Sequence, residues 1–431
     1  MTSRTDGLGP VVVIGAGVSG TAAAIAAARL GARVTVVDHG AGASSLATGA
    51  LDFTWAPASR DRRLADEGEP RRQADLSRSS RDVFDALGVY VLPSRPARLV
   101  TTAGVVREAR GHDAALLDAA SIDVARTAGR RIGVVRCSRP GWDADALAAA
   151  WGGAWVAIDA RVLKYADERG IPDADFAARH DDDARLAWLA ERLREALSGR
   201  AEGGGLAGIV LPPSLGVDRP RSQALSERVG VPCGEPIAMP GGPAGLRFER
   251  ARDRAFATAG ITRARARVRR AEASGGTWHV TGYEGTSFEA HAVVLATGGL
   301  IGGGIEYAPS EATLAAALPS SARVPFRASV DAPVVLGAHG RPLELPGSLF
   351  GVEPERLAWP FTGEPTGPTG PFTGGGMLER AGVLVADDGA CFGAPRGLFA
   401  AGEVVADGPR TWLHALTSGA LAGAYAARRY R

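Results

Sequence analysis

One stretch near the start constrains this chain more than any other. It runs Val11-Val12-Val13-Ile14, then Gly15-Ala16-Gly17-Val18-Ser19-Gly20, then an alanine-rich run to Leu30, then Ala32-Arg33-Val34-Thr35-Val36-Val37-Asp38. Four β-branched residues in a row read as a buried parallel strand. The run from Thr21 to Leu30, ending before Gly31, reads as a helix, and a second apolar strand ends on a carboxylate. This is a βαβ unit with G-x-G-x-x-G at its first turn. Gly15 makes the tight turn, Gly17 lets backbone N–H groups, with those of Val18 and Ser19 beside it, approach a pyrophosphate, and Gly20 lets the helix pack against the strand. The helix N-terminus adds partial positive charge for the diphosphate. Asp38, at the tip of the second strand, is placed to accept hydrogen bonds from a ribose hydroxyl. The expected ligand therefore contains ADP, which leaves NAD(P) and FAD open.

The other properties of the chain narrow the function class. With 431 residues and 45% hydrophobic content, it has room for two domains, or for one large nucleotide domain interrupted by a cap. The formal charge of +2, from 49 basic and 47 acidic residues, makes no case for nucleic-acid binding. Lys164 is the single lysine. Cys137, Cys233 and Cys391 are far apart, with neither C-x-x-C nor cluster spacing, so no iron–sulfur centre or zinc site is expected. Electrons leaving this chain must pass to another molecule. No run approaches the ~20 apolar residues of a spanning helix, and no signal-peptide pattern precedes the first strand. The expected location is cytoplasmic, with peripheral attachment at the inner face of the membrane through a partner left open.

After Asp38 the segment His39–Phe53 is rich in small and hydroxylated residues, and Ser44, Ser45 and Thr48, with Gly49, suit close approach to a flat ligand. Residues 55–75 read as an exposed connection. Asp75–Leu87 reads as an amphipathic helix closed by Gly88. Strands are expected at Val89–Leu92, Leu99–Thr102 and Val105–Val106, the last two forming a hairpin, and at Ile132–Arg136, Trp155–Ile158 and Val162–Leu163. Helices are expected at Ala144–Ala150 and over Ile171–Gly199. Pro232–Gly245 reads as a loop and Leu246–Ala259 as a helix. Ala264–Ala271 and Thr277–Tyr283 read as strands of a β-meander, with the backbone of Val268 a candidate for an adenine edge. The strand Ala290–Leu295 then runs into Ala296-Thr297-Gly298-Gly299. This is a second nucleotide signature, because its glycines let the chain pass beneath a dinucleotide and the Thr297 hydroxyl can hold the turn. Residues 325–380 read as a return to the cap, with Thr362–Gly376 a candidate phosphate-holding or lid loop.

The third signature is Gly397-Leu398-Phe399-Ala400-Ala401-Gly402-Glu403 followed by Trp412–Gly423. Glu403 stands at a strand tip, beside Gly402, where a carboxylate can take hydrogen bonds from ribityl hydroxyls. The helix after it carries Leu416 and Thr417 in its first turns and Gly419 and Gly423 on one face. Its N-terminus is expected to meet the pyrimidine end of an isoalloxazine ring, where negative charge develops on reduction. His414 is the candidate base and Arg410 the candidate holder of a phosphate or carboxylate.

The pieces G-A-G-V-S-G, L-A-T-G-G and F-A-A-G-E occur in the order seen in FAD-dependent oxidoreductases of the fumarate reductase and succinate dehydrogenase flavoprotein superfamily, which this chain resembles. Ser44–Asp52, Val210–Pro213, Glu227–Pro232, Pro243–Arg247 and Leu295–Gly304 resemble, more narrowly, the B subunits of anaerobic glycerol-3-phosphate dehydrogenases. The segment Pro409–Gly419 departs from the Gly- and Cys-containing tail of those subunits. The resemblance implies a Rossmann-like FAD-binding α/β domain with a β-meander, interrupted by a mixed α+β cap. The expected division is FAD-binding segments at 1–54, 241–304 and 386–431 and cap or substrate segments at 55–240 and 305–385. It also implies oxidation of sn-glycerol 3-phosphate, a small-molecule substrate, with electrons passed to a partner subunit or a quinone. Members of that family are often assigned FMN, but Asp38 behind an intact glycine motif favours FAD. Two other readings stand beside it: a non-catalytic flavin-holding relay subunit, and a fumarate-reductase-like enzyme acting on a small carboxylate.

Overall fold

The computed structural model describes residues 9–52, 77–126, 129–198, 205–300, 302–307, 326–338, 340–342 and 380–428. The expected connection at 55–75, the tract Thr362–Gly376 and most of 305–385 lie outside these residues. By their contacts the residues form two groups. One holds Met1–Ala43, Phe53–Ala86 and Ala255–Arg431, and the other Ser44–Asp52 and Leu87–Arg254.

In the first group Val11–Ile14 is β1, Val18–Arg29 is α1 and Val34–Asp38 is β2. Further along are β3 (Thr262–Arg265), β4 (Val268–Ser274), β5 (Thr277–Gly282), β6 (Ser287–Ala290), β7 (Ala292–Leu295), β8 (Leu398–Ala400) and α2 (Trp412–Arg428). The order β3-β2-β1-β7-β8 is parallel throughout. All four side chains of β1 and of β7 are buried, as central strands covered on both faces require. The antiparallel run β4-β5-β6 is the expected meander. The fold is thus the α/β class with a parallel sheet that the first glycine motif demands.

Helix α1 is mostly alanine and other small residues, and residues 18–27 are buried. Its tight partner is α2: a Cβ on Gly419 would stand 2.8 Å from the carbonyl carbon of Ser19, and one on Gly423 2.6 Å from the Cα of Ala23. Side chains at these positions would hold the backbones apart. Trp278 on β5 is fully buried and donates its indole N–H to the Arg396 carbonyl at 3.0 Å.

Two readings of strand boundaries are corrected here. Ala264–Ala271 is not one strand, because β3 joins the parallel sheet and β4 the meander. The Ala266 N–H between them donates to the Asp38 carbonyl at 2.9 Å, which anchors the crossover. Ala290–Leu295 likewise divides into the end of β6 and β7, at His291, whose N–H donates to Pro10 at 2.9 Å. The described residues of the expected cap segment 305–385 also behave otherwise. Ile305, Val330, Ala338, Ala381 and Val383 bury their side chains in one cluster with Val12, Trp278 and Val293, so apolar packing draws them into the first group.

The second group contains a parallel sheet in the order Cys233–Gly234, Leu206–Val210, Arg131–Arg136, Trp155–Asp159. Beside it are the hairpin Ala97–Val100 with Val106–Ala109 and a small antiparallel ladder joining Ala50–Leu51, Gly111–Asp113 and Tyr90–Val91. Residues 44–52, assigned from sequence to a nucleotide segment ending at 54, belong here through that ladder and the bond from Asp113 N–H to the Gly49 carbonyl at 2.7 Å. The expected strand Val162–Leu163 is absent, because the Val162 carbonyl is taken by the Arg185 guanidinium at 3.1 Å. The long helix expected over 171–199 is broken into Asp173–Ala178, a short 3-10 turn and Asp183–Ser198. Asp182 breaks it: extended at φ −73 and ψ 127, it caps the second helix by accepting the Arg185 N–H at 2.7 Å. Pro232–Gly245 is not wholly loop, since Cys233–Gly234 pairs with Leu206–Val210 and Pro243 opens the helix Pro243–Ala259.

On that helix Arg247 is fully buried between two carboxylates. It bonds Asp113 at 2.8 Å, Glu235 at 2.9 Å and the Gly216 carbonyl at 2.6 Å. Burial raises the carboxyl of Glu235, although Arg247 opposes it.

Candidate functional site

The site in the first group is built from the C-terminal ends of β1, β7 and β8, where an open parallel sheet leaves its crevice. Gly15 has φ +111, a conformation few side chains allow, and a Cβ there would stand 2.8 Å from the carbonyl carbon of Ala296. The first glycine turn is thereby pressed on the A-T-G-G turn. That turn meets the third in turn, since a Cβ on Gly299 would lie 2.8 Å from the Glu403 carbonyl oxygen. Gly402, at φ +79, closes the circle: a Cβ there would reach 2.5 Å from the Ser19 hydroxyl. Its own N–H donates to the Ser418 hydroxyl at 3.0 Å, and that hydroxyl donates to the His414 carbonyl at 2.7 Å.

Three segments separated by a hundred residues or more therefore share one locus. Gly15, Gly17, Thr297, Gly298 and Glu403 are partly exposed there, while Ala16, Val18, Ser19, Gly20, Ala296 and Gly402 are buried beneath. The cradle consists of backbone with no Cβ at its closest points, together with the N-terminus of α1 and one carboxylate. This donor set fits an extended diphosphate-linked dinucleotide.

The remaining sequence-derived residues divide. Asp38 ends β2 beside the same turn, where the Gly15 N–H donates to the Val37 carbonyl at 2.8 Å. Its carboxylate is paired with Arg263 on β3, which sequence reading missed because the two are 225 residues apart. Val268 lies on β4 with its side chain 7% exposed in the core and its backbone opposite Gly282, as for an ordinary strand valine. Leu416 faces the core, and the Thr417 hydroxyl donates to the His414 carbonyl at 3.2 Å within its own helix. Ser44, Ser45, Thr48 and Gly49 belong to the second group, and Ser44 and Ser45 lie in a 3-10 turn at Ala43–Leu46. A Cβ on Gly245 would stand 2.7 Å from the carbonyl carbon of Ser45, so this turn is seated on the start of the helix Pro243–Ala259.

Arg410 does not stand ready for an anion as expected. Its guanidinium donates to the carbonyls of Glu403, Val405 at 3.2 Å and Ala381 at 2.9 Å, so it staples the loop that carries Glu403. His414 is close by in the first turn of α2, where its N–H reaches the Thr411 hydroxyl at 3.4 Å. Burial first, and then the Arg410 guanidinium, push its imidazole down to about 4, so it is neutral near pH 7. Its Nε2 is buried with no hydrogen-bond partner among the described residues and lies over Gly408, where a Cβ would come within 2.6 Å. Ser418 and Thr411 are further residues of the site that motif reading passed over, since a hydroxyl in a small-residue helix carries no signal of its own.

Among the described residues no group of His, Cys, Asp and Glu could hold a metal ion, and no helix is long and apolar enough to cross a membrane.

Residues 10–195 match the family model described as FAD dependent oxidoreductase (DAO). FAD is the cofactor of that family, and the matched stretch contains the first glycine motif, α1 and Asp38. No match was found among curated proteins. Among solved structures, the 3-ketosteroid-delta4-(5alpha)-dehydrogenase of Rhodococcus jostii RHA1 is similar at 15% identity over 100% of this chain and 99% of its own, with a TM-score of 0.32. The 3-ketosteroid delta1-dehydrogenase of Sterolibacterium denitrificans is 12% identical over 97% and 99%, with a TM-score of 0.37. A flavocytochrome c3 fumarate reductase is 14% identical over 97% and 78%, with a TM-score of 0.34. Likenesses at this level carry no inference about substrate.

Proposed function

We propose that this chain is a flavin-dependent dehydrogenase that oxidises a small hydroxylated substrate of the glycerol 3-phosphate kind and passes the electrons to a partner subunit or quinone. The observation that supports it most is the convergence of the Gly15, Gly298 and Gly402 turns on one backbone cradle beside Glu403. The segments resembling glycerol-3-phosphate dehydrogenase B subunits support the narrower substrate.

FAD, when bound, supplies the ring that takes up the hydride. In this reading the amides at the start of α1 hold the diphosphate, and Asp38 and Glu403 accept hydroxyls of the ribose and the ribityl chain. His414, neutral near pH 7, is available as a proton acceptor. It is a weak one, because its environment disfavours the imidazolium. Arg410 acts on the loop and not on the substrate. Commitment of that guanidinium to carbonyls favours a second reading, a flavin-holding relay subunit whose substrate is oxidised on a partner.

Anaerobic addition of sn-glycerol 3-phosphate to the yellow chain decides between them. Bleaching of the flavin supports the dehydrogenase. A flavin that dithionite reduces and glycerol 3-phosphate leaves oxidised supports the relay.

A further inference from the structure

The acid expected to hold the adenosine ribose is itself held. Arg263 Nε donates to one oxygen of Asp38 at 2.9 Å and Nη2 to the other at 2.7 Å, the side-by-side fork in which both partners are fixed in one plane. The Asp38 side chain is 4% exposed and that of Arg263 29%, so the guanidinium covers the carboxylate from the outer strand. The main chain repeats the clamp, since Ala266 N–H takes the Asp38 carbonyl at 2.9 Å. On the other side β2 abuts the Gly15 turn through Val37. An ionised carboxylate offers roughly four acceptor positions, of which Arg263 uses one on each oxygen. Those that remain have their directions set by the fork.

We propose that Arg263 is a positioning residue for the adenosine half of the cofactor: it orients Asp38 so that the chain selects FAD over FMN. The inference rests on the flavin reading above and deepens it. Arg263 itself touches no reacting atom. A residue that only stabilises the sheet would alter the binding of both flavins or of neither, whereas a residue that orients Asp38 alters FAD alone, because FMN has no adenosine.

The test is titration of the deflavinated full chain with FAD and, separately, with FMN, followed by flavin fluorescence. The wild type is expected to bind FAD more tightly than FMN. R263Q is expected to lose about tenfold in FAD affinity, the scale of a charge-assisted hydrogen bond, with FMN affinity unchanged. R263K keeps the charge that balances Asp38 but not the fork, and so gives a folded variant with a smaller loss in the same direction. Added to D38N, R263Q is expected to cost nothing further. Unchanged FAD affinity in both Arg263 variants, or FAD and FMN affinities falling in step, overturns the proposal. A wild-type chain that takes up neither flavin overturns the proposed function and this inference with it.

Discussion

The contact between α1 and α2 makes a prediction whose sign tests the account of the fold. Gly423→Ala would ordinarily stabilise a helix by about 1 kcal/mol, the difference in helix propensity between the two residues. Here the new methyl would stand 2.6 Å from the Cα of Ala23, and ordinary contact begins near 3.4 Å, so the helices must separate by most of an ångström. The atoms in the way are backbone and cannot turn aside. Overpacking costs about 1–3 kcal/mol, and against backbone that cannot give way the upper part of that range, about 2–3 kcal/mol, applies. Less the propensity gain, the expected net effect is a loss of about 1–2 kcal/mol. Gly153→Ala is the control, because no atom lies within 4 Å of a Cβ there. Urea unfolding of the full chain, followed by circular dichroism, reads both. A lower midpoint for Gly423→Ala, with Gly153→Ala at or above the wild type, is expected. An unchanged or higher midpoint for Gly423→Ala refutes the close approach of the two helices.

Three further outcomes follow from the buried groups. His180 and His414 are both pushed down to about 4, mainly by burial, against ~6.5 in the unfolded chain. Their stabilising effect is complete above pH 6.5 and is lost as pH falls toward 4, by at most about 3 kcal/mol each, so denaturant midpoints should fall over that window and less steeply in His180→Gln. Burial raises the thiols of Cys137, Cys233 and Cys391 to about 12, so the native chain should label slowly with iodoacetamide at pH 8 and quickly in guanidinium; equal rates contradict the burial. Arg247→Met strands Asp113 and Glu235 as buried carboxylates and should cost about 3–5 kcal/mol in unfolding free energy, whereas a loss under 1 kcal/mol would mean water reaches them.

The sequence announced those parts of the fold that local chemistry dictates. Val11–Ile14, Gly15–Gly20 and Val34–Asp38 specify β1, α1 and β2, because the apolar period and the glycine spacing lie within one short stretch. The turns at Ala296–Gly299 and Gly402–Glu403 were legible by the same means. Decisions made by residues distant in sequence were not legible. Arg263 reaches Asp38 across 225 positions, and Arg410 is spent on three carbonyls that no motif marks. The helix over 171–199 looked continuous because leucines recur through it, and only the Asp182 cap interrupts it. Adjacency makes Ser44–Gly49 read as part of the nucleotide segment, but the Gly49 carbonyl accepts the Asp113 N–H, which ties it to the second group.

The central claim is that three glycine turns and a helix N-terminus hold one FAD. Its most direct test is to deflavinate the purified chain, add FAD, remove the excess by gel filtration and identify the retained flavin by mass after denaturation. The account predicts equimolar FAD on the wild type and its loss in Gly15→Val, whose side chain would collide with Ala296. A wild-type chain that emerges without flavin, or a Gly15→Val chain that retains it fully, contradicts the account.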